Sequence, residues 1–247
     1  MRRLLAWTAG VLAVLLVLAS VAFVVWAGNP YEAVPGSLER AERSADVAAD
    51  EDGVVITPPG GEVDTAVVFY PGARVEPEAY AASWAPVVAE TGVGVVMPRM
   101  PFNLAVLAPG RAEAAMERLD AETWYLGGHS MGGAMAAFAA SDDDTAGDRA
   151  VGLVLWGSYV AGTDLAERED LRVLSVSASE DLLADPDTVR DRRDALPPDA
   201  ESVEIDGMNH AQFGDYGPQV ADGTPHIADD EARVELAEAT AGFLGDG

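Results

Sequence analysis

The sequence predicts an α/β fold, a mostly parallel sheet with helices on both faces. Three observations carry that expectation. Short, nearly continuous apolar runs recur at residues 65–70, 93–97, 152–156 and 171–176, as strands buried on both faces require. Segments of helical composition alternate with them at 77–90, 111–119, 186–195 and 229–244, the order that builds crossovers between parallel strands. Residues 123–140, TWYLGGHSMGGAMAAFAA, read as strand, tight turn and helix, with a serine at the apex. Trp124 and Tyr125 favour the strand, and the alanine-rich run after Met131 favours the helix. The chain has 247 residues and is 49% hydrophobic. That is enough for one domain with a full core once the N-terminal segment is set aside.

Residues 1–27 begin with Arg2 and Arg3, then carry no charge from Leu4 to Ala27. At helical rise this apolar length crosses a hydrocarbon core. Trp7 and Trp26 stand near its ends; arginines precede it and acidic residues follow. The expectation is an uncleaved membrane anchor through residues 4–27, with a cytoplasmic N-terminus and an extracytoplasmic domain. A signal peptide cleaved after Val25-Trp26-Ala27, giving a secreted protein, is the alternative.

Residues 28–45 are polar and acidic, with Pro30, Pro35 and Gly36; they read as a linker, with a short helix around 37–43. The folded domain is expected over 46–247. It opens on a hairpin over 46–57, turning at Asp50-Glu51-Asp52-Gly53. Gly92 stops the helix at 77–90, and Pro98 ends the following strand. Residues 102–107 read as an apolar loop or short helix, 141–148 as an acidic loop, and 203–205 as a short strand. The connection from 156 to 171 leaves no room for a large cap, so a small, open site is expected.

Gly128-His129-Ser130-Met131-Gly132 is a G-x-S-x-G turn set between strand and helix. Glycine is needed on both flanks because a Cβ would collide with the adjoining strand or helix. The turn lifts the hydroxyl clear of the sheet, over a helix N-terminus that favours developing negative charge. A serine hydroxyl is a weak nucleophile and needs a base oriented by an acid. The chain has three histidines. His129 lies inside the turn and should point away from the hydroxyl, and His226 sits in a loop before the last helix. His210 follows a short strand, where α/β sheets gather functional groups, and is the expected base. The acid should follow a strand between Ser130 and His210. Asp181 is the choice, with Glu180 second. Two amides should hold the oxyanion: Met131, directly after the nucleophile, and Ala73, with Gly72 allowing close approach. The order Ser130, Asp181, His210 is that of α/β-hydrolases, not of chymotrypsin-like or subtilisin-like proteases. Met100, Phe102 and Leu104 read either as an apolar wall of the site or as core packing. Gln212, Phe213, Asp215 and Tyr216 read as braces of the base loop.

The net charge is −27, from 42 acidic and 15 basic residues, every basic one an arginine. This argues against nucleic-acid binding and against docking on anionic lipid through a basic patch. It is expected to reflect plain solubility or, more sharply, halophilic adaptation, in which salt screens a densely acidic surface. There is no cysteine, which excludes disulfides and thiolate chemistry. Serine chemistry requires no metal or organic cofactor, and none is expected. The expected partner is a small-molecule acyl substrate.

Four stretches carry a resemblance: YPGARVEPEAYA at 70–81, MPFNLAVL at 100–107, GGHSMGGAMAA at 127–137 and GMNHAQFGDYG at 207–217. On these, the region from about Val54 to Leu244 resembles an α/β-hydrolase. More narrowly, it is similar to the compact alpha/beta hydrolase fold-5 group, related to dienelactone-hydrolase-like proteins. The resemblance implies an α/β-hydrolase fold with little or no cap, and maps the group's serine, acid and histidine onto Ser130, Asp181 and His210. Dienelactone hydrolases use a cysteine nucleophile; Ser130 departs from that, so lactone hydrolysis is not implied. The implied activity is ester or related acyl hydrolysis through an acyl-enzyme. The alternatives are acyl transfer by the same triad and a non-catalytic extracellular binding protein on a hydrolase fold.

Overall fold

The computed structural model describes residues 2–141, 146–162 and 165–245. Residues 142–145 of the expected acidic loop lie outside them. The chain forms two compact units, Met1–Pro30 and Tyr31–Gly247. The first consists mainly of one helix, α1 (Arg2–Ala27). Within it, Gly10–Ala27 has a mean hydropathy of 2.7. By length and composition it is sufficient to cross a membrane.

The second unit is built on one sheet. Its strands are β1 (Asp46–Asp50), β2 (Gly53–Thr57), β3 (Thr65–Tyr70), β4 (Gly94–Pro98), β5 (Thr123–His129), β6 (Ala150–Trp156), β7 (Arg172–Ala178) and β8 (Glu201–Ile205). The order across the eight-stranded sheet is β1-β2-β4-β3-β5-β6-β7-β8. β1 and β2 form the expected antiparallel hairpin, and β2 pairs antiparallel with β4. From β4 to β8 every pairing is parallel. Asp50 shapes the hairpin turn by accepting the N–H groups of Asp52 and Gly53 at 2.9 and 3.1 Å. Gly53 sits at φ 134, where a Cβ would strike the Met97 carbonyl.

Side chains alternate between the two faces, as the pleat dictates. Val67 and Phe69 of β3 join Val154 and Trp156 of β6 on one face, beneath α3 (Ala81–Thr91) and α7 (Asp229–Gly245). Val68 and Tyr70 join Leu153 and Leu155 on the other, beneath α4 (Arg111–Met116) and α5 (Met131–Ala140). Trp84 of α3 stacks on Trp156 at 4.7 Å between ring centroids, and Phe69 lies 4.7 Å from Trp156. Trp156 also donates through Nε1 to Thr240 Oγ1 of α7 at 3.2 Å. This cluster fixes the end of β6, whose last carbonyl holds the serine turn.

Residues 31–45 pack on this domain although their composition reads as linker. Tyr31 bridges to Val75, and Arg40 of α2 (Ser37–Ala41) pairs with Asp215. Leu38, Ala41 and Ala45 recur at helical spacing and join the core, a small apolar stripe masked by the charged residues around it. Because β3 and β5–β8 run parallel, residues 71–74, 130, 157–161, 179–184 and 206–210 all follow carboxyl strand ends and gather along one rim.

Candidate active site

Ser130 occupies the turn between β5 and α5 at φ 54, ψ −125. A non-glycine residue there is strained by about 1–3 kcal/mol and persists only where its surroundings leave no alternative. Here they leave none. The Ser130 N–H donates to the Trp156 carbonyl at 3.0 Å. The Ser130 carbonyl accepts from Ala134 N–H at 3.2 Å and from Ser158 Oγ at 2.8 Å. A Cβ on Gly128 would meet the Gly132 carbonyl, and one on Gly132 would fall on the carbonyl oxygens of Tyr70 and Pro71. The backbone is thus pinned on both sides while the side chain is lifted off the sheet.

Asp181 follows β7 and His210 follows β8, and the two meet. His210 Nδ1 lies 2.6 Å from Asp181 Oδ2, with both side chains buried. The other carboxylate oxygen, Oδ1, accepts the N–H groups of Leu183 and Ala184 at 2.8 and 2.7 Å. A carboxylate bonded in this way accepts from Nδ1–H, which leaves His210 Nε2 as the ring's free acceptor. Glu180, the second candidate acid, turns elsewhere, its Oε1 lying 3.3 Å from Nδ1 of the exposed His226. Among the described residues no hydrogen bond joins the Ser130 hydroxyl to the His210 ring. Both follow carboxyl strand ends on one rim, and a cleft of about 140 Å³ there is lined by Ser130, Met131, Gly157, Tyr159, Leu183 and Ala184 but not by His210. Leu183 and Ala184 are the residues whose amides hold Asp181. Gly157 ties the parts together: a Cβ on it would lie 3.3 Å from Asp181 Oδ2.

The base loop is a short 3-10 turn capped by its own side chains. Asn209 Oδ1 accepts Gln212 N–H at 3.2 Å, and Gln212 Oε1 accepts Asn209 N–H at 3.1 Å, a reciprocal cap that satisfies two orphan donors. Asp222 accepts the N–H groups of His210 and Ala211 at 3.2 and 2.8 Å. Gln212 also donates to the Ile227 carbonyl and to Asp229 at 3.1 and 2.8 Å. Gln212 therefore braces the loop, as expected, while the Asp215 carboxylate pairs with Arg40 and Arg233. Asp222 carried no signal in the sequence, being one acid among many.

Of the expected oxyanion donors, Met131 starts α5 directly after Ser130, and Ala73 lies in the turn after β3. Neither N–H has an acceptor among the described residues. Two amides so disposed are available to a developing negative charge. Met100 and Leu104 are buried and do not line the cleft; of the two readings of that stretch, theirs is packing.

His129 is buried beside His210, with ring centroids 4.4 Å apart. Its Nδ1 lies 2.9 Å from Tyr80 Oη, and it does not line the cleft. Burial first, and the neighbouring His210 second, hold its pKa well below the ordinary imidazole value. Neither His129 nor Tyr80 is read as part of the site from sequence, although both lie within the stretches that carry the resemblance.

A strained serine turn between strand and helix, with an acid and a histidine following later strands in that order, is the α/β-hydrolase arrangement. Residues 66–234 match the family model described as alpha/beta hydrolase family. The chain belongs to the alpha/beta hydrolase family. Solved structures agree on the fold. This hydrolase is similar to an esterase from Pyrobaculum calidifontis (17% identity, 85% of this chain and 90% of that one, TM-score 0.54). It is similar to a thermostable esterase from Pseudomonas putida (14%, 81% and 83%, 0.53). It also resembles the thermophilic carboxylesterase EstE1, cloned from a metagenomic library (17%, 84% and 94%, 0.51). At these identities the likeness is one of fold. No curated protein matches the sequence.

Proposed function

We propose that this hydrolase cleaves a carboxylic ester of a small molecule, with Ser130 as nucleophile, His210 as general base and Asp181 as its orienting acid. The observation that carries the reading is the buried His210–Asp181 pair at 2.6 Å, on the same rim as a serine forced to φ 54. Ser130 Oγ attacks the carbonyl carbon while His210 Nε2 takes its proton. The Met131 and Ala73 amides stabilise the oxyanion. Collapse expels the alcohol, which takes the proton from His210 and leaves an acyl-Ser130. Water attacks that ester with His210 again as base, releasing the acid and restoring the serine. The names of the structural neighbours support ester chemistry. The cleft beside Ser130 is small, about 140 Å³, which favours short acyl chains over long ones.

The apolar segment at Gly10–Ala27 fits a single-pass anchor holding the domain over residues 46–247 outside the cytoplasm. The net charge of −27 fits a working environment of high salt. A fluorophosphonate probe tests the central reading. Wild type is expected to label and to hydrolyse 4-nitrophenyl acetate and butyrate, and Ser130→Ala to do neither. Folded wild type that stays unlabelled in both dilute and molar salt would show a binding protein instead. Protease treatment of intact cells, with detection of the N-terminus in the membrane fraction, tests the anchor.

A further inference from the structure

A buried chain of hydrogen bonds leads from the residue before the proposed nucleophile to the loop that carries Ala73. His129 Nδ1 lies 2.9 Å from Tyr80 Oη. Tyr80 Oη accepts the Gly72 N–H at 2.9 Å. Gly72 immediately precedes Ala73. His129 and Tyr80 are buried, and so is Gly72.

The proton inventory sets the direction of the chain. A phenol has one proton to donate. Burial holds the Tyr80 phenol protonated, well above its ordinary range. Since its oxygen already accepts from Gly72, its proton goes to His129 Nδ1. His129 is neutral, so Nδ1 offers a lone pair and the ring proton sits on Nε2. The joint has no slack. A Cβ on Gly72 would sit 2.8 Å from His129 Nδ1 and 3.0 Å from Tyr80 Oη. Phe69 lies 5.4 Å from the Tyr80 ring on one side and Tyr216 6.5 Å from it on another. On the far side of Ala73, Arg74 stands at φ 61 and its N–H donates to the Asn103 carbonyl at 2.6 Å.

We infer that Tyr80 and His129 are positioning residues that hold the Ala73 amide in register with Ser130. The inference rests on the reading of Ser130 as nucleophile. His129 is the last residue of β5, so Ser130 is covalently next to one end of the chain and Ala73 to the other. Two hydrogen bonds in series set the spacing between the nucleophile and the second oxyanion donor. Such a donor acts only within about 2.7–3.1 Å of the developing charge. Loosening the chain therefore weakens the transition state and leaves ground-state substrate binding nearly as it was.

The test compares Tyr80→Phe, His129→Leu and His129→Asn with wild type on 4-nitrophenyl butyrate, each rate divided by fluorophosphonate-titrated sites. Tyr80→Phe keeps the ring and loses the hydroxyl. It is expected to lower kcat by about 10- to 100-fold with KM changed by less than about threefold. A trifluoromethyl ketone, which forms the oxyanion adduct, should bind more weakly by the same factor. His129→Leu should lose a similar factor, and the double variant no more than the larger single loss, because both cut one chain. His129→Asn keeps an acceptor near the Nδ1 position and should stay within a few-fold of wild type. Wild-type kcat per titrated site in Tyr80→Phe, with only a lower Tm, would make the tyrosine merely structural and overturn the inference alone. Additive losses in the double variant would overturn it too. Wild type that neither labels nor turns over would overturn the hydrolase reading and this one with it.

Discussion

The serine turn at residues 127–133 and the base loop at 207–216 lie on one rim but are held by different physics. The turn is held by exclusion. Added Cβ atoms on Gly127, Gly128, Gly132 and Gly133 would all run into backbone or side-chain atoms, the first into the Val154 carbonyl at 2.8 Å. The base loop is held by attraction. Asn209, Gln212 and Asp222 accept from its backbone N–H groups, and Asp181 grips the ring. Exclusion is local: the atoms that clash are neighbours in the chain or on adjoining strands. Attraction reaches further, since His210 depends on an acid 29 residues away. The turn should therefore fail by not folding, and the base loop by losing alignment while the fold survives.

That contrast can be broken or sharpened, beginning with the largest expected effect. Asp181→Asn leaves the shape intact but takes away the carboxylate that sets the His210 tautomer. It should lower kcat by about 10⁴-fold, with circular dichroism unchanged; a loss below tenfold would mean that His210 is oriented by something else. Gly132→Ala should cost about 3 kcal/mol or more in urea unfolding, because its Cβ would land on two backbone oxygens that cannot retreat. A cost under about 1 kcal/mol would sink the steric account of the turn. Asp222→Ala leaves two amides without their acceptor. It should cost about 1–3 kcal/mol and speed hydrogen exchange at His210 and Ala211 while the serine turn stays protected.

The smallest effect is a pH dependence. His129 is buried neutral, its pKa held well below the ordinary imidazole value of about 6.5 by burial. Below pH 6.5 the unfolded chain binds a proton that the native state does not. Stability from this residue is thus complete above that pH and declines as pH falls, by up to about 1.4 kcal/mol per unit. Thermal melts between pH 7 and pH 5 should show this decline, and His129→Asn should flatten it. An unchanged slope in the variant would assign the acid sensitivity to the carboxylates.

Much of the fold was legible in advance. The apolar runs at 65–70, 93–97 and 152–156 fall in strands, the turn at Asp50–Gly53 makes a hairpin, and the helix at 229–244 closes the domain, because each is dictated by period and turn chemistry over a few residues. The candidate site was legible where a local rule applied. G-x-S-x-G needs its glycines, and functional side chains follow strand ends, which singled out Ser130, Asp181 and His210. Tyr80 and Asp222 were not legible, since a tyrosine in a helical turn and an acid in an acidic chain look like their neighbours. Residues 31–45 read as linker because the stripe of Leu38, Ala41 and Ala45 is too small to register against the charges around it.

The sequence by itself thus determined the order of elements, the strained serine turn and the family to which the chain belongs, all properties of contiguous residues. Only the tertiary structure decided that Asp181 rather than Glu180 meets His210. It alone joined His129 through Tyr80 to Gly72. The reason is that hydrogen bonds between distant side chains depend on strand order and register, and these are set by the packing of the whole sheet rather than by any segment of it.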